Sequence, residues 1–244
     1  QKYIPEFLED IVEKNLNCIH FIKTPNDQLP LFNGATLLNL SQIQKYFENF
    51  KPKIKKSYLG GLFKIKHKNH FLIIDIDKPP QKKFSKSYQS GPLSFEYFLD
   101  DVKIITNSGF GSNISKKVEL LSRLTACQST LTINDTSISK FEKNEMISKI
   151  FGNSVQDSFK SFDFFSKNEN LLVGCSASNN GYEKNFGCSH RREIYLDKQN
   201  NYLKGTDHIL KAKDGYPIRY AFRFHINPEL SVVKTMSGNS ALIQ

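Results

Sequence analysis

The chain lacks several features that would assign it directly to a class of protein. It has no run of eighteen or more apolar residues, so the sequence offers no transmembrane helix, and it shows no signal-peptide pattern. No CxxC pair occurs, which argues against a zinc ribbon. The glycine-rich segment 108–113 is not followed by Gly-Lys-Ser or Gly-Lys-Thr, which argues against a phosphate-binding loop. The sequence opens on Gln1 and stops on the strand-like SALIQ, so we interpret it as a fragment.

Acidic residues are too few to balance the basic ones. Lys and Arg number 34 against 24 Asp and Glu, a formal net charge of +10. A basic chain favours anionic partners such as nucleic acid, an acidic polysaccharide or a membrane surface. No signature of a nucleic-acid-binding module is present, and only Phe84 and Tyr88 accompany the lysine runs at 51–56 and 81–86. We therefore expect no nucleic-acid partner. Two interpretations remain, a solvated lysine-rich surface and a groove for an acidic polysaccharide.

The N-terminal part of the chain has the periodicity of helices. Over residues 5–22 the apolar side chains recur about every 3.6 positions, as on one face of an α-helix. A second helix is predicted over residues 42–50, with Ser41 as its N-cap and Pro52 ending its propagation.

From Tyr58 onward the pattern changes from helical to β. Short blocks that alternate apolar and polar residues, or are apolar throughout, are separated by Gly, Asn, Asp and Pro. This pattern predicts a mostly β chain that folds as an antiparallel β-sandwich. The predicted strands lie at residues 60–69, 71–77, 93–99, 102–107, 129–135, 171–178, 192–198, 202–210, 219–226 and 231–238.

The stretch from Ser87 to Asp135 carries the most specific signal. It contains SYQSGPLSFEYF, KIITNSGFG and SRLTACQSTLTIND, three strand-like blocks that each place a small polar group beside Gly, Ser or Thr. Their order and spacing resemble the β-sandwich domain of heparinase II/III-like proteins, which are polysaccharide lyases. The resemblance implies that residues 1–55 are the C-terminal helices of an α/α toroid. It also implies that residues 56–244 are a β-sandwich, incomplete at its C-terminus.

The resemblance also implies a function. Family members cleave acidic, uronate-containing glycans such as glycosaminoglycans by β-elimination, in which a base removes the proton beside the sugar carboxylate and an acid protonates the departing oxygen. We therefore expect a bacterial lyase of the periplasm or cell envelope, with an acidic polysaccharide as its partner and no organic cofactor. The alternative is a non-catalytic glycan-binding or envelope-assembly protein on the same fold.

Three positions depart from the family pattern in the same direction. The family commonly has His, Asp and His where this chain has Gln89, Asn107 and Gln128, and in some members those residues serve catalysis or hold a structural zinc. An amide has no proton to exchange near neutral pH and is a poor zinc ligand, so we expect no metal at these positions. Three interpretations stay open: a buried polar network, a glycan-binding site without lyase chemistry, and an active variant site. In the last, Gln89 is catalytic and Asn107 and Gln128 contact the substrate.

A second block, residues 179–197, resembles the family's GY…HRR segment. Tyr182 follows an Asn-Asn-Gly turn, which we expect to present its ring near a loop tip. His190 and Arg192 fall on one face of a strand and Arg191 on the other. The resemblance and this arrangement assign Tyr182 and His190 to catalysis and Arg192 to substrate binding, because a guanidinium can grip a carboxylate with two bonds. The alternative is an arginine in a surface ion pair beside a structural histidine.

A third block, residues 218–228, resembles the family's RFHLHP segment. Strand alternation places Arg223 and His225 on one face, opposite a face that carries the aromatic residues. We assign both side chains to substrate binding, with a structurally packed His225 as the alternative.

Two aspartates complete the candidates. Asp75 and Asp77 share one face of the predicted strand at 71–77. Paired carboxylates can bind a cation or transfer protons, and they can equally cap the turn before Pro79.

Overall fold

The structure, a computed structural model, describes residues 5–37, 40–47, 51–53, 56–211 and 219–244. Two antiparallel sheets dominate it. The first contains, in order across the sheet, β1 (Tyr58–Leu59), β2 (Leu62–His67), β3 (His70–Asp75), β4 (Phe95–Leu99), β5 (Val102–Thr106) and β12 (His225–Ile226). The second contains β10 (Tyr202–Lys211), β9 (Cys188–Asp197), β8 (Leu172–Asn179) and β7 (Ser161–Asn168). Two small ladders pair β11 (Tyr220–Phe222) with β6 (Leu131–Ile133) and β13 (Val232–Lys234) with β14 (Ala241–Ile243).

The core lies between the two large sheets and follows from strand alternation. β9 alternates strictly between buried and half-buried residues, which turns Ile194 and Leu196 inward. These side chains share one apolar cluster with Ile65 and Ile74 of the first sheet. Each contributes about 1.5–3 kcal/mol by leaving water. The predicted antiparallel β-sandwich is therefore confirmed.

The predicted first helix is confirmed as α1 (Glu6–Ile22). Its C-terminal end is attached to the first sheet, because the buried Phe21 accepts a 2.7 Å hydrogen bond at its carbonyl from Nζ of Lys64 on β2. Within the described residues, no helix is long and apolar enough to cross a membrane.

The predicted second helix is wrong in type. Residues Leu40–Tyr46 form 3₁₀ turns, not an α-helix, and residues 48–50 lie outside the described part of the chain. The assignment of residues 1–55 to a toroid stays a prediction.

Several elements were not predicted. Short helices lie at α2 (Lys116–Leu121), α3 (Glu145–Phe151) and α4 (Glu183–Phe186). β7 escaped prediction because a register shift between Phe162 and Phe165, with Asp163 at a φ of 53°, interrupts its alternation.

The predicted single strand over 219–226 is also wrong. β11 pairs with β6, whereas β12 pairs with β5 in the first sheet. Because the chain changes ladder between Phe222 and His225, the predicted division into one aromatic and one polar face does not hold. Phe222 packs toward an apolar cluster, and His225 lies beside the end of β5.

Candidate functional site

A groove of about 590 Å³ opens between the N-terminal segment and the end of β5. One wall comes from the loop that follows α1, including Asn26, Gln28 and Leu31. The opposite wall comes from β5, β12 and the turn before β6. The polar and titratable residues of this second wall are Lys103, Thr106, Asn107, Ser108, Cys127, His225, Asn227 and Glu229. We call this feature the seam groove.

β5 supplies the buried polar side of the seam groove. Lys103 is 7% exposed, and its Nζ lies 3.1 Å from Oε2 of the fully buried Glu96 on β4. The other carboxylate oxygen of Glu96 accepts hydrogen bonds from Oγ1 of Thr106 at 3.2 Å and from the backbone N–H of Asn107 at 3.3 Å. Burial raises the pKa of Glu96 even though Lys103 opposes the shift.

Asn107 is held by its side-chain oxygen and leaves its amide N–H groups without a partner. Oδ1 accepts a 2.8 Å hydrogen bond from the backbone N–H of Ser129. Nδ2 is buried and has no acceptor among the residues that the structure describes. A buried donor without an acceptor costs about 1–3 kcal/mol, so this atom is a natural contact for a ligand in the groove.

His225 and Arg223, predicted together, lie in different surroundings. His225 lines the seam groove and donates from Nε2 to the carbonyl of Ala126 at 3.0 Å. Arg223 pairs with Asp135 at 3.5 Å outside the set of groove-lining residues. The structure therefore brings His225, but not Arg223, together with Asn107.

Gln89 and Gln128 meet in a buried network beneath this region. Nε2 of Gln89 and Nε2 of Gln128 both donate to the carbonyl of Ser122, at 3.1 and 2.8 Å. Gln89 also donates to the carbonyl of Gly109 at 2.9 Å and accepts from the N–H of Gly34 at 3.1 Å. Gly34 has a φ of 100°, and a Cβ there would lie 2.8 Å from Ser87. This network joins the N-terminal segment to the sandwich.

These amides do not fit a zinc ion. Both glutamines direct N–H groups at carbonyl oxygens, whereas zinc requires lone pairs from His, Cys or carboxylate. Among the described residues, no three His, Cys, Asp or Glu side chains form a metal-binding cluster. The arrangement of these amides therefore does not support a metal-assisted reaction.

His190 and Arg192 share one inward face, as predicted, but they form a closed cluster in the interior. Arg192 is 2% exposed and binds both carboxylate oxygens of Asp207, at 2.7 and 3.1 Å. Its Nη1 donates to the carbonyls of Leu93 and Ser129 at 2.7 and 2.8 Å. Four of the five guanidinium N–H groups are thus bonded inside the protein, which favours a structural role of Arg192 over its predicted role in substrate binding.

Asp207 also binds His190, whose Nε2 lies 2.7 Å from its Oδ1. Burial alone would raise the pKa of Asp207, but the hydrogen bonds from His190 and Arg192 outweigh it and lower the pKa to about 2. Burial lowers the pKa of His190, which is 1% exposed. The neighbouring Arg191 pairs with Glu193 at the surface, which is the kind of ion pair that the structural alternative describes.

The prediction that Tyr182 presents its ring near a loop tip is wrong. The side chain is 1% exposed and belongs to an apolar cluster with Leu131 and Cys188. Its hydroxyl donates to the carbonyls of Leu131 and Thr136, at 3.3 and 3.1 Å, and burial raises its pKa. The Asn-Asn-Gly turn leads into α4, which directs the ring into the core.

Asp75 and Asp77 lie at a second cavity of about 650 Å³. Asp75 accepts hydrogen bonds from Nδ2 of Asn33 at 3.2 Å and from the N–H of Asp77 at 3.3 Å. Burial raises the pKa of Asp75 to about 7. The bond to the Asp77 N–H matches the turn-capping alternative.

Sequence reasoning missed Lys103 and Glu96. A signal was available, because each interrupts an otherwise apolar strand, in VKIIT and in FEYFL. A charged residue in such a strand predicts either an exposed face or a buried partner on the neighbouring strand.

A family model described as Heparinase II/III-like, C-terminal, matches residues 51–244. The chain therefore belongs to the heparinase II/III-like family, as the sequence resemblance predicted.

Two solved structures share the fold. A mutant of the heparan sulfate lyase HepC from Pedobacter heparinus has a TM-score of 0.72 at 14% identity, over 98% of this chain and 38% of that chain. A structure of heparinase III has a TM-score of 0.68 at 15% identity, over 98% of this chain and 40% of that chain. At these identities the likeness shows the fold alone.

A curated relative carries a different description. FtsZ-localized protein C from Caulobacter vibrioides is 22% identical over 252 residues, which span 98% of this chain and 43% of that protein. The chain thus spans less than half the length of this relative and of the two solved structures.

Proposed function

We propose that this protein binds an acidic, uronate-containing glycan in the seam groove, and that the described sandwich contributes recognition rather than the acid or base of β-elimination. The observation that carries the proposal is the unpartnered amide of Asn107 in a groove that Lys103 and His225 also line. The heparan sulfate lyase with the same fold supports the choice of an acidic glycan.

The predicted catalytic groups already make hydrogen bonds within the protein. This supports the proposal that the sandwich does not supply the acid or base. An elimination needs a base at the sugar carbon and an acid at the departing oxygen. The Tyr182 hydroxyl donates to two carbonyls, His190 is bound to Asp207 in the interior, and Gln89 has no proton to exchange. Recognition without these groups requires no cofactor.

The test is to incubate the full-length protein with heparan sulfate, oligogalacturonate and alginate oligosaccharides, with and without chelator. Ultraviolet absorbance follows the unsaturated elimination product, and calorimetry follows binding. We expect binding of an acidic glycan without a change in absorbance. A chelator-resistant rise in absorbance that His190→Gln or Tyr182→Phe abolishes would show that the interior residues act in catalysis. Absence of binding to every glycan would overturn the proposal.

An envelope-assembly protein is a second candidate, favoured by the similarity to FtsZ-localized protein C along nearly the whole chain. For both candidates we propose the bacterial cell envelope or periplasm as the location. A fluorescent fusion that gathers at the division site, with purified protein that binds no glycan, would favour this candidate over the first.

A further inference from the structure

We infer that Lys103 and Asn107 form a carboxylate-binding subsite in the seam groove, one that takes the uronate carboxylate of the glycan. The inference deepens the proposed function and rests on it. It adds Lys103 and Glu96 to the site and assigns each donor a specific role.

The first step concerns hydrogen-bond donors. Nζ of Lys103 and Nδ2 of Asn107 are both buried, and neither makes a well-directed hydrogen bond within the described residues. Lys103 has three N–H groups and lies near one carboxylate oxygen, that of Glu96 at 3.1 Å. Asn107 has two N–H groups on Nδ2 and contacts no acceptor there. Among the described residues, the five N–H groups of these two side chains thus have one neighbouring acceptor, Oε2 of Glu96, and a ligand must bring the others.

The second step concerns position. Glu96 contacts both residues: Lys103 through one carboxylate oxygen, and the backbone N–H of Asn107 through the other, at 3.3 Å. Both residues thus contact a single buried carboxyl group, Lys103 by its side chain and Asn107 by its backbone, and both line the same groove. Neighbouring donors on one wall suit a ligand group with two acceptor oxygens.

The third step concerns charge. Burial raises the pKa of Glu96, so its carboxylate is a weaker counter-ion for Lys103 than an ordinary surface glutamate. The other titratable residues that line the groove are Cys127, His225 and Glu229. Among the described side chains that line the groove, Lys103 is thus the only lysine or arginine. A ligand carboxylate gains charge-assisted hydrogen bonds from it, about twice as strong as hydrogen bonds between two neutral groups.

Asn107→Asp is the variant that tests the subsite most directly. It keeps the acceptor for the Ser129 N–H and replaces the unpartnered donor with an oxygen of nearly the same size. Asn179→Asp is the matched control: Asn179 is fully buried, accepts at Oδ1 from the N–H of Gly181 and has an unpartnered Nδ2, but it is not among the groove-lining residues. Lys103→Met tests the second donor.

The probes are an acidic oligosaccharide that the wild-type protein binds and the same oligosaccharide with its carboxylates reduced to primary alcohols. Calorimetry with the full-length protein, in the presence of chelator, gives each Kd, and thermal melts confirm folding. We expect Asn107→Asp and Lys103→Met to weaken binding of the acidic probe by about 10-fold to 100-fold. We expect Asn179→Asp to bind like the wild-type protein, and the reduced probe to bind weakly to all four.

The outcomes separate this inference from the proposed function. Wild-type binding that is equally tight for both probes, or equal losses in Asn107→Asp and Asn179→Asp, would overturn the subsite and leave glycan binding intact. Failure of the wild-type protein to bind any acidic oligosaccharide would overturn both.

Discussion

Two buried ion pairs in this protein differ in how completely they are satisfied. Arg192 and Asp207 lie in the interior, where the carboxylate contacts two cationic or potentially cationic side chains and the guanidinium donates to two further carbonyls. Glu96 and Lys103 lie beneath the seam groove, where the carboxylate contacts one lysine and the lysine has unused donors. The pKa shifts reflect this contrast, because the pKa of Asp207 is lowered and that of Glu96 is raised.

The difference identifies which pair is available for binding. A pair whose carboxylate is bound on both oxygens and whose guanidinium also donates to two carbonyls stabilises the fold and has little to offer a ligand. A pair with unused donors at a groove costs stability until a ligand supplies acceptors. The contrast therefore favours a structural role for the His190-Arg191-Arg192 segment and a binding role for Lys103 and Asn107.

The largest expected effect comes from breaking the interior pair. Arg192→Met leaves the Asp207 carboxylate without its bidentate partner and two buried carbonyls without a donor. We expect a loss of about 3–5 kcal/mol in the free energy of unfolding, measured by urea denaturation. Arg191→Met is the control, because its surface pair with Glu193 contributes at most about 1 kcal/mol. Equal losses in the two variants would contradict the distinction between the pairs.

A smaller loss is expected in the amide network. Gln89→Leu removes the acceptor for the N–H of Gly34 and the donor to Gly109, at a cost of about 2 kcal/mol. Hydrogen exchange at the Gly34 amide should become faster, because that amide loses its partner. Gln156→Leu, which removes a single half-buried bond to Glu142, should leave the exchange at Gly34 unchanged. Unaltered exchange in Gln89→Leu would show that the network does not hold the N-terminal segment.

The interior carboxylate also predicts a pH dependence. The pKa of Asp207 falls from an ordinary 3.8 to about 2 in the folded protein, so the unfolded chain takes up the proton first. Its contribution of about 2 kcal/mol is present above pH 4 and lost as pH falls toward 2. Urea unfolding should show the stability gap between wild type and Asp207→Asn closing over that range. A constant gap would mean that Asp207 titrates normally.

Much of the fold could be predicted because local patterns determine it. The periodicity over residues 5–22 correctly predicted α1, and the apolar blocks predicted most of the sandwich strands. The failures have local causes: the bulge at Asp163 hides β7, and the change of ladder after Phe222 divides one predicted strand into two. The register of a strand and the identity of its partner strand depend on other segments, so they cannot be predicted from the sequence of that strand alone.

The candidate site was less predictable, because burial and pairing depend on contacts far apart in the chain. Asn107 and His225 were predicted and do line one groove. Tyr182 and Arg192 were predicted from the family resemblance, a turn and a strand face, but their surroundings come from Leu131, Asp207 and other remote residues. The pairing of Lys103 with Glu96 is local, between adjacent strands, and was missed although each charged residue interrupts an otherwise apolar strand.

The smallest expected effect sharpens the contrast between the two pairs. Since burial raises the pKa of Glu96, the folded protein keeps that proton to a higher pH than the unfolded chain does. The pair should therefore lose stability as pH rises above the ordinary value of 4.5, the opposite direction to Asp207. The double variant Glu96→Gln, Lys103→Met removes both charges and should flatten this slope, measured by urea unfolding between pH 4 and 8. If the slope survives in the double variant, another group causes the pH dependence. Asp75, whose pKa is raised to about 7, is the candidate, and Asp75→Asn is the control that tests it.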